Sequence, residues 1–105
     1  MKRLLLTLGA LTTIVAAAPA VAQDAAALAK AKNCMACHTV DKKVVGPAYK
    51  DVAKKFGGQA GAVDMLAERI MKGSSGVWGP VPMPPNANVN AAEAKQLATW
   101  VMSLK

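Results

Sequence analysis

Cys34-Met35-Ala36-Cys37-His38 gathers both cysteines and the only histidine of the chain into five residues. Thiols and imidazole are ligand and nucleophile groups, so three chemistries compete for the motif. A structural zinc site wants four Cys or His ligands, and this chain holds three. Thiol–disulfide exchange needs only C-x-x-C, but it usually starts a helix after a strand in a βαβ setting, and no such pattern is present. Covalent haem c uses all three side chains. Each thiol adds across a haem vinyl group to give a thioether, and the adjacent imidazole turns onto the iron. The two-residue spacing suits the separation of the vinyl groups on the porphyrin edge. A disulfide between Cys34 and Cys37 would close a tiny loop and constrain little of the unfolded chain. Attachment of one haem, with its iron, is the reading these residues favour.

A second stretch, Val77-Trp78-Gly79-Pro80-Val81-Pro82-Met83-Pro84-Pro85-Asn86, holds methionine among prolines. Methionine is normally a gap-filler of helices and cores. Proline rings fix φ and remove backbone donors, so Met83 is excluded from a helix interior or a central strand. Taken alone, the stretch is a rigid surface loop with an apolar plug. Beside a His-ligated iron it acquires a chemical use. Met/His pairing raises a haem potential, and a weak, soft thioether needs a backbone that imposes its position. His38 and Met83 are then the two axial ligands. Such an iron has no vacant position for a substrate, which points to an electron-transfer protein and not an enzyme.

Four helical segments must position these groups. Asp24 to Lys32 is Ala-rich and helical by propensity. Tyr49, Val52, Ala53 and Phe56 repeat at i, i+3, i+4, i+7 and stop at Gly57-Gly58. Val63, Leu66, Ala67 and Ile70 repeat likewise and stop at Gly73. The last helix carries Leu97, Trp100, Val101 and Leu104, with Asn90 as cap and Glu93 in the capping-box position. Met65, Met71 and Met102 fall within these helices as ordinary core residues. The Gly/Pro-rich segment from Gly73 to Asn90 is too long for a mere connector. No convincing strand, repeat or glycine-rich phosphate loop is read, so the expected class is all-α.

The chain's 105 residues divide into a leader and one domain. Lys2 and Arg3 precede an apolar run, Leu4 to Ala18, and Ala20-Val21-Ala22 supplies the small residues a signal peptidase reads. Residues 1–22 are expected to be removed, and residues 23–105 to form a single soluble domain. Losing Lys2 and Arg3 from 13 basic residues leaves 11 against 6 acidic ones, a net charge of +5. Four aromatic residues are thin for a domain near the lower limit of self-sufficient cores, so something else should fill the middle.

C-M-A-C-H, V-G-P-A-Y at 45–49 and G-V-W-G-P-V-P-M-P-P-N at 76–86 resemble the small bacterial class I cytochromes c of the cytochrome c-551 type. The resemblance runs over residues 23–105. It implies an all-α fold of four short helices around one haem c attached through Cys34 and Cys37. It implies a periplasmic, monomeric one-electron carrier that meets redox donors and acceptors, such as terminal reductases or oxidases, in transient contacts. It further implies that the Pro47 carbonyl accepts the His38 ring N–H. Arg69 and Trp78 would be donors to a haem propionate, and Asn86 a side-chain donor near the Met83 sulfur. One departure is Ala29, where some relatives carry an aromatic residue facing the last helix.

Eight lysines, at 30, 32, 42, 43, 50, 54, 55 and 72, serve solubility or steer the domain toward acidic patches on its partners. Nucleic-acid binding is not expected of an exported chain with only scattered lysines. Two other readings draw on the same residues. One is a copper- or haem-trafficking protein with Cys34, Cys37, His38 and Met83 as soft ligands, which the absence of a Met-rich motif disfavours. The other is a catalytic haem protein whose Met83 swings aside, which the flanking prolines disfavour.

Overall fold

The computed structural model describes residues 9–10 and 20–104. The expected leader lies outside them, apart from 9–10 and the first residues of the first helix. Four α-helices and one 3-10 turn follow in order: α1 Ala20–Ala31, the turn Cys34–Ala36, α2 Tyr49–Phe56, α3 Ala62–Lys72 and α4 Ala91–Ser103. Among the described residues there is no strand, only isolated bridges between His38 and Lys43 and between Ser74 and Met83. The all-α class is as the sequence predicts. The short turn at Cys34–Ala36 was not predicted.

α2 ends at Phe56, as its pattern requires, and buries Tyr49, Val52, Ala53 and Phe56 on one face. Full burial of a Val or Phe side chain contributes about 1.5–3 kcal/mol. α3 stops at Gly73, whose positive φ no other residue adopts without strain. At α4 the capping box is complete. The Asn90 side chain accepts from the Glu93 backbone at 2.8 Å, and the Glu93 carboxylate accepts from the Asn90 N–H at 3.1 Å. α4 is the hub of the fold, packing against α1, α2 and α3.

α1 begins at Ala20, four residues earlier than its propensity suggests, and meets α4 through small residues. Ala25 and Ala29 are buried on α1, and Ala94 and Ala98 on α4. Alanines four apart on each helix let the backbones approach closely, so Ala29 is a packed residue and not a defect. Trp100 takes its aromatic partner from α2 instead, meeting Tyr49 edge-on at 5.3 Å. Lys32, just beyond α1, donates to the Asn88 carbonyl at 2.6 Å and pairs with Glu93 at 3.5 Å. The end of α1 is thereby tied to the start of α4. Met65, Met71 and Met102 are partly buried against the core, as expected of packing residues.

Candidate haem-binding site

A cavity of about 390 Å³ opens between α2, α3, α4 and the two long loops. Val52, Leu66, Ile70, Leu97 and Val101 give it an apolar lining. Its volume falls in the range of sites that bury a cofactor-sized ligand. Cys34, Cys37, His38, Pro47, Arg69, Trp78 and Met83 all line it, although they are spread over fifty residues of chain. Asn86 is the one sequence-selected residue that does not.

Cys34 and Cys37 lie on and just after the 3-10 turn, each half-buried and neither in a disulfide. The turn is entered through Asn33 at φ 61°, a left-handed conformation that asparagine tolerates better than most residues. The backbone N–H groups of Cys37 and His38 both return to the Cys34 carbonyl, at 3.3 and 3.0 Å. Burial pushes the Cys34 thiol above its ordinary range, and the neighbouring Cys37 adds to the shift. Both cysteines line the apolar cavity, where an uncharged thioether is well accommodated.

His38 is gripped from several directions. Its Nδ1 lies 2.8 Å from the Pro47 carbonyl oxygen, so the tautomer with Nδ1–H donates there and leaves Nε2 free. Tyr49 stacks on the imidazole with ring centroids 5.2 Å apart. Gly46 leaves no room for anything larger, because a Cβ there would lie 2.4 Å from His38 Cε1. The Gly46 N–H in turn donates to the Cys37 carbonyl at 2.8 Å. Burial pushes the Tyr49 phenol far up, so it stays neutral beside the ring.

Met83 arrives on the 73–90 segment. It exchanges both backbone hydrogen bonds with Ser74, at 3.0 and 2.8 Å. Asn86 anchors the segment to the end of α3, donating to the Ile70 carbonyl from its side chain at 2.8 Å and from its backbone at 3.2 Å. A further side-chain donation reaches Pro84 O at 3.4 Å. The Asn86 amide is therefore occupied by backbone acceptors. The prolines alone do not set the place of Met83. They stiffen a segment whose register is set by Ser74 and Ile70.

Arg69 and Trp78 flank the same ring. The Arg69 guanidinium lies 5.5 Å from the Phe56 centroid, and Trp78 meets Phe56 edge-on at 6.4 Å. Lys55 Nζ stands 5.3 Å over the Trp78 ring. Among the described residues neither Arg69 nor Lys55 pairs with a carboxylate, and Arg69, which lines the cavity, can offer its charge to an anionic group there. The lysines are less uniform than the sequence suggests: Lys50 pairs with Asp41 at 2.6 Å and Lys72 with Glu68 at 3.0 Å.

The donor set fits haem. Among the described residues no three His, Cys, Asp or Glu side chains converge on one point. Two thiols, an imidazole and a thioether instead surround an apolar space, with cations beside it. The cytochrome c family profile matches residues 22–105. This chain belongs to the cytochrome c family. It is 57% identical to cytochrome c-551 of Stutzerimonas stutzeri over the full length of both chains. It is 63% identical to cytochrome c-551 of Pseudomonas aeruginosa over 84 residues, 80% of each chain. The crystal structure of Nitrosomonas europaea cytochrome c552 superposes with a TM-score of 0.75 at 57% identity, covering 76% of this chain and 99% of that one. The fold is thus the small class I cytochrome c fold. One haem c is carried covalently through Cys34 and Cys37, its iron supplies reversible one-electron chemistry, and the protein is an electron carrier that exchanges with redox partners.

Sequence reasoning missed Gly46, Tyr49, Gly73 and Ser74 as parts of the site. Gly46 and Tyr49 stood inside a quoted motif, but nothing in it said which faces they offer. Gly73 and Ser74 act through backbone atoms and carry no side-chain signal.

Proposed function

We propose that His38 and Met83 are the two axial ligands of the haem iron, and that this closed site makes the protein a carrier without catalytic activity. The observation that carries the reading is the convergence of His38 and Met83 on one apolar cavity, each with its own backbone support. The Pro47 carbonyl, by accepting from Nδ1, orients the imidazole and raises its basicity as a ligand. Arg69 and Trp78 hold a haem carboxylate at the Phe56 end, and Asn86 acts on Met83 by tethering its segment to Ile70. The protein works in the periplasm as a monomer formed by residues 23–105 once residues 1–22 are removed. Its partners are redox donor and acceptor proteins, such as terminal reductases or oxidases, met in transient contacts. Electrons pass through the exposed edge beside Cys34 and Cys37.

Voltammetry and azide titration of four methionine variants test the reading. Axial ligand identity tunes haem potentials over roughly 0.8 V. Met83→Ala should lower the potential by an amount on the order of hundreds of millivolts and admit azide. Met65→Ala, Met71→Ala and Met102→Ala should leave both properties near those of the parent. If one of these three opens the site while Met83→Ala does not, the assignment of Met83 is wrong.

A further inference from the structure

We propose that Gly73 is a positioning residue for Met83, acting through the space it leaves and the backbone it allows. The proposal rests on the reading of Met83 as axial ligand.

Gly73 caps α3, returning its N–H to the Arg69 carbonyl at 2.8 Å. Its backbone sits at φ 85°, ψ 171°, a region populated almost only by glycine. The chain needs that conformation in order to leave the helix and run alongside the Met83 segment. Space is the second constraint. A Cβ on Gly73 would lie 2.8 Å from the Met83 carbonyl oxygen, 3.1 Å from Pro85 N and 3.2 Å from Pro85 Cδ. None of these atoms is the far end of a flexible side chain. Two are in the ring of Pro85, and one is the carbonyl that accepts from Ser74 N–H. An added methyl group must therefore separate Ser74 from Met83, and the thioether would move with its backbone.

Gly76 is the natural control. It lies in the same loop at φ 78°, but a Cβ there would meet nothing within 4 Å. An alanine at 76 pays the strain of a positive φ and collides with nothing. The Met83 backbone should respond to the first glycine and ignore the second.

The test uses four holoproteins: the parent, Gly73→Ala, Gly76→Ala and Met83→Ala. Amide hydrogen exchange is followed at Ser74 and Met83, with azide affinity and the methionine-to-iron charge-transfer absorption of the oxidised form. Gly73→Ala should speed exchange at both amides by about tenfold or more, tighten azide by a similar factor and weaken the absorption. Gly76→Ala should stay within about twofold of the parent on all three. Equal behaviour of the two variants would overturn the proposal, leaving Gly73 as a helix terminator only. If Met83→Ala fails to admit azide while Gly73→Ala still speeds the two amides, the placement by Gly73 stands and the ligand assignment falls. Ser74→Pro covers the case in which Gly73→Ala yields no holoprotein. It deletes the Ser74 N–H bond to Met83 and leaves Gly73 in place. Tighter azide and faster Met83 exchange in that variant support placement of Met83 through the Ser74 pair that Gly73 admits, and parent-like values overturn the proposal.

Discussion

His38 and Met83 reach one cavity from segments with different kinds of support. The histidine segment, residues 33–49, is knitted to itself and to the helix that follows. Gly46 N–H bonds Cys37, while Tyr49 and Lys50 N–H groups bond the carbonyls of Thr39 and Val40 at 2.9 and 3.1 Å. The imidazole adds its own hydrogen bond, a stacked tyrosine and the close surface of Gly46. The methionine segment, residues 73–90, hangs between α3 and α4 with most of its residues exposed. It is held by the Ser74 pair and by Asn86 on Ile70, and near α4 by Lys32 on the Asn88 carbonyl and by buried Val89. An imidazole has an N–H by which it can be aimed. A thioether has none, so it can be placed only by placing its backbone. The methionine side should therefore be the one that opens first, since few buried contacts and exposed backbone bonds mark low local stability.

The largest effect comes from removing what both segments enclose. Cys34→Ser with Cys37→Ser prevents attachment and leaves the core around an apolar cavity of about 390 Å³. The chain should be largely disordered, seen as loss of the cooperative thermal transition by circular dichroism. A transition close to that of the holoprotein would mean that the two segments hold without their shared cofactor. A smaller effect tests the histidine side alone. In Gly46→Ala the methyl overlaps the imidazole, and overpacking of this kind costs roughly 1–3 kcal/mol. For a domain of this size each kcal/mol lowers Tm by about 4–8 °C. Azide affinity should stay close to that of the parent, because the strain falls on the histidine segment. A tight azide complex would show that the two sides are coupled after all. The smallest effect sharpens the methionine side. Asn86→Ala removes the side-chain bond to Ile70 and keeps the backbone one, so stability should fall by about 1 kcal/mol in thermal melts. Exchange at the Met83 amide should quicken more than exchange at Tyr49.

Much of the site was legible because its chemistry resides in side chains at short spacing. Cys34, Cys37 and His38 declare themselves within five residues, and Met83 stands out among prolines. α2, α3 and α4 were legible from apolar periodicity and from their glycine stops and capping box. The start of α1 was not, since its alanines carry propensity without an amphipathic stripe to bound them. Asn86 was expected as a side-chain donor near the Met83 sulfur, whereas the acceptor its side chain meets is Ile70 O, a backbone atom sixteen residues away. No side-chain pattern encodes that choice.

The sequence by itself determined the attachment chemistry and the all-α class, and it singled out His38 and Met83 as candidates to meet an iron. Those properties follow from residue type and local spacing, which the unfolded chain already possesses. Only the tertiary structure decided how His38 and Met83 are held. Met83 depends on a glycine at the end of α3 and on a hydrogen-bonded pair closed by Ser74 across the loop. His38 depends on the bare face of Gly46 and on the Tyr49 ring presented by α2. These are contacts of backbone atoms and of empty space, and they exist only once the chain has folded back on itself.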